Sequence, residues 1–367
     1  MPISLTHRAV SLEQATRVTQ QASTDKHILW AFDPEDSWEG EGGVWGSHPR
    51  FFPSADGSKL ILGAGNRLAV LDADTGKLES EQKSQLYFND WQTFDPKGRY
   101  LYSSDDKAIK ALKVSDGKVQ WTVRSRDDEW FGRTAPCVGP DGTVYVGTTR
   151  GSVFALDGET GKKKWKIGTG IYGRAVPAID KQGHLFVGFL GVSGDEKVPI
   201  LALDPADGKT LRSLDVPKLS DELLIGPDGL LVTQTTESFD LKGLDPVTGA
   251  ERFSFDPPDQ GGVSSFVKGP TGELWVTTSE GTLYQLDARG QVAQTIASGE
   301  DLRGAPTVAP DGRIYARTFD NEVLAMVKDT AAYQSHRFTV TAEPKKQLVD
   351  DGVILNIGGV EIPIWAE

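Results

Sequence analysis

Between residues 139 and 168 apolar and polar positions alternate with the period of two that belongs to pleated strands: TVYVGT from Thr143, SVFALD from Ser152 and KKKWKI from Lys162. Their β-branched and aromatic residues suit such strands. Turn signals separate the runs. Pro140-Asp141-Gly142 precedes the first, Gly151 divides the first from the second, and Glu159-Thr160-Gly161 precedes the third; each supplies a glycine that accepts the positive φ of a tight turn. The stretch predicts three antiparallel strands joined by hairpins.

The pattern recurs along the chain. Aligned on the first turn glycine, copies fall at Gly57, Gly98, Gly142, Gly183, Gly229, Gly272, Gly312 and Gly352, at intervals of 40 to 46 residues. An aspartate marks the end of the second strand at Asp72, Asp157, Asp245 and Asp287; Lys113 takes its place in copy two, and the insertion LGVSGDEKVP delays Asp204. The next marker is a glycine at Gly76, Gly117, Gly161, Gly208, Gly249 and Gly290. A repeat of about 40–45 residues with four short strands predicts an all-β propeller, because one blade cannot bury both faces without neighbours. The outer strand of each blade is expected to pack through Trp30, Trp121, Trp165, Leu211, Phe253 or Val292.

The two ends decide the blade count. Residues 1–26 form a tail in which SLEQATRVTQQA, from Ser11, has the capping pattern of a short helix. His27 to Asp33 (HILWAFD) reads as a strand with no blade of its own. Copy seven carries APDGRIYART and NEVLAMV, with Val327 at the marker aspartate, Ala331 at the turn glycine and SHRFTVTA, from Ser335, as an outer strand. DDGVILNIGGVEIPIW, residues 350–365, then starts as another copy, in which VILNI pairs with VEIPIW through Gly358-Gly359. The expectation is a single domain over residues 27–367: an eight-bladed ring of four-stranded antiparallel blades, closed by HILWAF completing the C-terminal blade so that no edge is left free. The alternative has seven blades, with HILWAF completing copy seven and the C-terminal hairpin appended.

Composition narrows the function. Hydrophobic residues make up 38 %, with 41 Gly and 20 Pro, as suits a turn-rich β protein. A formal net charge of −13 and the lack of any Lys/Arg-rich run argue against nucleic acid. Cys137 is the only cysteine, which excludes an intramolecular disulfide and a thiolate metal cluster. No apolar run is long enough to span a membrane and residues 1–25 have no leader pattern, so a cytoplasmic monomer is expected. The alternatives are export without a standard signal peptide and a mature chain whose signal has been removed.

The string DGTVYVGT followed by ALDGETGKKKW, Asp141 to Trp165, resembles the pyrroloquinoline quinone-type propeller repeat, and looser copies run from about residue 27 to 365. That repeat occurs in quinoprotein alcohol dehydrogenases and in bacterial non-catalytic eight-bladed scaffolds such as the lipoprotein of the outer-membrane assembly machine. The resemblance implies the propeller fold. In the quinone enzymes a vicinal cysteine pair lies against the cofactor and a Glu/Asn/Asp set holds calcium; Cys137 alone cannot form that pair, so no cofactor is expected. The chain also departs from the lipoprotein in having no lipidation cysteine near residue 1. Copy six, GPTGELWVTTSEGTLYQLDARG, is similar to the repeats of propeller lyases and lactonases as well, but the five histidines fall on different copies.

Connections from one outer strand to the next inner strand converge on one propeller face. The residues nine before each turn glycine include His48, Asn89, Arg133, Arg174 and Arg303, with Trp45, Trp91, Trp130 and Tyr172 beside them. Arginine forks flanked by aromatics suit a carboxylate-bearing ligand or a protein hot spot. The competing account has these arginines tie blades together through Asp90, Asp127, Asp128, Asp221 or Asp301. Asp72-Ala73-Asp74-Thr75-Gly76 begins like a calcium loop but reads as a hairpin turn, so no metal is expected. The function expected is a non-catalytic scaffold holding a protein or peptide on this face. The alternative is an enzyme or small-molecule binder (lyase, lactonase or quinone type) with an anionic ligand at the channel mouth.

Overall fold

A computed structural model describes residues 27–32, 50–54, 57–88, 92–95, 98–114, 117–125, 129–131, 134–193, 197–220, 222–236, 240–259, 261–319, 322–327, 353–357 and 360–364. Among them the strands form seven antiparallel blades and a separate two-stranded hairpin. Blades 1 to 7 begin at residues 50, 92, 137, 174, 224, 263 and 302, and their strands run A to D from the centre outward. In blade 1 the segment Lys59–Asp72 supplies both middle strands: extended, it would span roughly 45 Å, yet Ala73 N donates to Ser58 O over 3.0 Å, so it doubles back.

The sheet topology corrects the expected eight blades to seven. Ile28–Phe32 is the outer strand of blade 7, paired antiparallel with Val323–Met326 in the order D, C, B, A. Val353–Ile357 and Val360–Ile364 pair only with each other, as a hairpin outside the blades. The stretch from Ser335 and residues 1–26 lie outside the described residues. Strand A of blade 7 packs on strand A of blade 1, so the ring closes there.

One contact repeats around the ring. Strand-D Trp121 of blade 2 lays its ring over the C–D turn of blade 3 and donates Nε1–H to Gly158 O over 2.9 Å. Trp165 of blade 3 does the same to Pro205 O of blade 4 over 2.9 Å. A strand-B tyrosine accompanies each: Tyr102 lies 5.9 Å from Trp121 and donates to Gly158 O, and Tyr145 lies 5.7 Å from Trp165 and donates to Pro205 O. Burial, helped by nearby Asp141, pushes the Tyr145 hydroxyl up to about 12, which keeps it a neutral donor. The turn glycine is required by this packing: Gly161 has φ +68° and a Cβ on it would stand 2.6 Å from the Trp121 ring. Blades 7 and 1 use the same contact, since Trp30 donates to Ala73 O over 2.9 Å and a Cβ on Gly76 would stand 2.6 Å from its ring.

Arg313, only 1 % exposed, adds a second latch at this joint. From the A–B turn of blade 7 it donates to Gly57 O and Ala73 O of blade 1, and pairs with Asp74 at 3.0 Å and Asp311 at 2.6 Å. A buried guanidinium is tolerated because its donors are matched.

Two of the expected outer-strand packing residues are corrected. Leu211 is 65 % and Val292 43 % exposed. A register shift follows the C–D turn in blade 4 as in blade 3, so Arg212, opposite Ala202, occupies the place that Trp165, opposite Ala155, holds in blade 3. In blade 6 that place belongs to Gln294, opposite Gln285. A slip of one residue exchanges the two faces of a strand.

The C–D turns satisfy their own carboxylates. Asp72 Oδ1 accepts from Asp74 N, Thr75 N and Thr75 Oγ1 at 2.7 to 3.1 Å, which makes the calcium-like string a turn. Asp157 and Asp245 repeat the arrangement with Thr160 and Thr248. The Thr160 hydroxyl and amide hold Asp157 below its ordinary value, and Arg252 with the Thr248 amide does the same for Asp245.

Two outcomes follow from these contacts. Trp30→Ala should cost about 3–5 kcal/mol, read as a lower urea midpoint, whereas Leu211→Ala should stay within about 0.5 kcal/mol of the parent; equal losses would contradict the register. Depressed carboxylates stabilise the fold above the unfolded value of 3.8 and lose that contribution as pH falls through their lower folded values. The melting temperature should therefore fall between about pH 4 and pH 2, and Asp157→Asn, which keeps the acceptor oxygen without the charge, should fall less steeply.

Candidate functional site

The D–A and B–C connections share one face, and the A–B and C–D turns share the other. On the first face the loop entering blade 3 is tied down at Glu129. Its carboxylate accepts from Thr148 Oγ1 at 3.2 Å and pairs with Lys166 Nζ. Burial alone would raise this carboxyl, but hydrogen bonds from Lys166, Ser152 and Thr148 outweigh burial and hold it below the ordinary range. Asp259 accepts from Thr278 Oγ1 over 2.7 Å in the equivalent place before blade 6. Beside Glu129 the side chains alternate in and out. Phe131 is fully buried, 5.2 Å from Phe154, while Trp130, whose carbonyl accepts from Thr149 N over 2.9 Å, leaves half of its surface in solvent.

The next loop is clamped the same way. Thr169 Oγ1 donates to Gly151 O over 2.7 Å and accepts from Ile171 N, and a Cβ on Gly151 would stand 1.9 Å from Ile171 O. This close approach turns Tyr172 outward, 79 % exposed. Arg174 opens strand A of blade 4 opposite Leu190. Trp130, Tyr172 and Arg174 thus line one groove of about 610 Å³ between blades 3 and 4, with Asp106, Thr149, Leu190 and Ser193.

Arg303 belongs to a different place. It stands on blade 7 opposite Arg317, with its guanidinium 5.5 Å from the ring centroid of Phe319. Phe319 is 65 % exposed on the same face. It was absent from the sequence-based set, although its signal is legible: it follows Thr318 where Thr149 and Ser279 follow Thr148 and Thr278. Trp45, His48, Asn89, Trp91 and Arg133 lie outside the described residues.

The central channel narrows to a cavity of about 260 Å³ lined by strand A residues including Thr93, Cys137, Val176, Ala178, Leu224 and Lys268. Burial pushes the Cys137 thiol up, so it stays protonated and non-nucleophilic. Among the described residues no group of three His, Cys, Asp or Glu side chains is placed to hold a metal, and no helix is long and apolar enough to cross a membrane.

Comparison with known proteins fits this architecture. The solved BamB of Moraxella catarrhalis is 20 % identical, with a TM-score of 0.52 over 76 % of this chain and 81 % of that one. A chain of Kuenenia stuttgartiensis hydrazine synthase is 16 % identical, with a TM-score of 0.59 over 79 % of this chain and 99 % of that one. At these identities the likeness is one of fold. No curated protein matches. The family model described as outer membrane protein assembly factor BamB matches residues 14–170 and 196–354, and with its repeat built blade by blade as above, the chain belongs to that family.

Proposed function

We propose that the chain is a binding scaffold that holds a protein partner on the face of the D–A loops. The observation that carries this reading is the exposure of three large aromatics there: Trp130 at 50 %, Tyr172 at 79 % and Phe319 at 65 %. Large rings are ordinarily buried, and rigid exposed aromatics beside an arginine are the usual anchors of protein interfaces. Trp130 and Tyr172 sit on loops tied down by Glu129 and Thr169, so little order is lost when a partner docks. The family's description as an assembly factor supports a protein partner rather than a small substrate. The groove beside Arg174 suits an extended segment that carries a carboxylate.

A photo-crosslinking residue placed at position 172 in native cells should give a discrete adduct with one protein, and the same residue at position 247, on the opposite face, should not. Trp130→Ala with Tyr172→Ala should weaken binding of that protein by roughly tenfold or more, as loss of anchor residues does. Adducts at position 247 alone, or the same adducts from both positions, would sink this reading.

A further inference from the structure

The docking position lacks an aromatic in blades 1, 4 and 6, where Ser80, Arg212 and Gln294 hold it. Blades 7, 2, 3 and 5 present Trp30, Trp121, Trp165 and Phe253 to the next turn glycine, whereas blade 4 presents Arg212. No ring covers the Pro246-Val247 turn of blade 5. Val247 is 60 % exposed, and a cleft of about 870 Å³ opens between blades 4, 5 and 6 on the turn face. That volume lies within the range of about 300–1,000 Å³ typical of small-molecule sites.

The charges in its wall are unevenly committed. Asp180 accepts from the amides of Gln182 and His184 and from the His184 ring at 2.7 to 2.9 Å. Glu273 is held by Thr271, and Asp287 by the amides of Arg289 and Gln291. Asp228 is the one wall carboxylate with no such turn bond, and it is also the one non-glycine residue with positive φ, 53°, among the described residues. Against it stand Lys181, Arg212 and Lys268, none of them in a salt bridge with a described carboxylate. Burial and the neighbouring Lys181 lower the Lys268 ammonium, with Asp180 only partly opposing them. Three cations and four carboxylates thus line the cleft, and of the carboxylates Asp180, Glu273 and Asp287 accept from donors of their own turns. A cation that makes no salt bridge gains charge-assisted hydrogen bonds when an anion meets it.

We propose that this cleft binds a small ligand carrying carboxylate or phosphate groups, gripped by the Arg212 fork and the Lys181 and Lys268 ammonium groups over an apolar floor of Phe186 and Val247. Arg212 supplies the geometry, since a guanidinium meets either anion through two parallel hydrogen bonds. The site lies on the face opposite Trp130 and Tyr172 and does not depend on the scaffold reading.

The test is calorimetric titration of the full chain with citrate and with pyrophosphate at low salt. At least one should bind with Kd below about 1 mM, and the one that binds more tightly assigns the ligand's anionic group. Arg212→Gln with Lys268→Gln should weaken that binding roughly tenfold or more, because charge-assisted hydrogen bonds are lost. Lys83→Gln, an exposed cation on blade 1, should leave it unchanged. Arg212→Trp, which installs the residue of blades 2 and 3 and fills the cleft, should abolish binding while the protein melts no lower than the parent. Absence of binding by both anions at about 10 mM, unaltered binding by either cleft variant, or an equal loss in Lys83→Gln would overturn the proposal. Adduct formation at position 172 should persist in the cleft variants, so the two readings fail separately.

Discussion

Three joints of the ring depend on an indole laid across the neighbouring blade's turn. A blade is a small twisted sheet with two faces, and its C–D turn leaves a carbonyl that needs a donor. Trp121 meets both needs: its ring covers the turn of blade 3 and its N–H satisfies Gly158 O. Each such aromatic removes on the order of 200 Å² from water, worth several kcal/mol. The cost is steric, since the turn must have no side chain beneath the ring, which is why Gly161 and Trp121 are two halves of one contact on different repeats.

Closure uses the same device with strands from both ends of the described ring. Ile28–Phe32 joins Val323–Met326 and brings Trp30 onto Ala73 and Gly76, so blade 7 grips blade 1 as blade 2 grips blade 3. Arg313 adds polar contacts that only this pair of blades can satisfy. The HILWAF strand was legible in the sequence, and its pairing with copy seven was the alternative there that the structure bears out. Gly352 begins a run of alternating residues and so resembles a blade, but Val353–Ile357 and Val360–Ile364 pair only with each other. Counting first-turn glycines therefore overcounts by one.

The site was legible in part for a similar reason. Exposed Trp130 and buried Phe131 are adjacent in a loop, and sequence periodicity does not say which points inward; the Phe154 ring and the Glu129 clamp decide it. Tyr172 and Arg174 could be placed from the repeat because they flank a strand start. Arg303 shares their repeat position but not their groove, because positions equivalent in sequence are separated around a ring by whole blades. Arg212 was hidden by a shorter error. The register shift after each C–D turn, between Ala111 and Leu112 in blade 2 and between Ala202 and Leu203 in blade 4, adds a residue before the docking position. Without that residue Leu211 appears to face inward and the arginine disappears into the strand.

Loss of an aromatic at one joint should weaken the ring there, yet blades 4 and 5 remain packed. The reason lies deeper in the sheet. Leu214 and Val216, further along the same outer strand, are buried with Leu231 and Leu244 of blade 5, and a Cβ on Gly249 would meet both at 3.4 Å, ordinary contact rather than collision. Aliphatic packing thus takes over the joining role, and the space an indole fills elsewhere is left open at the turn face. Arg212 is long enough to stand at the rim of that space with its stem along the sheet and its charge in solvent. A position that packing no longer constrains is free to carry chemistry, and in this ring it lies beside Lys181 and Lys268, where the acidic side chains are mostly engaged by their own turns.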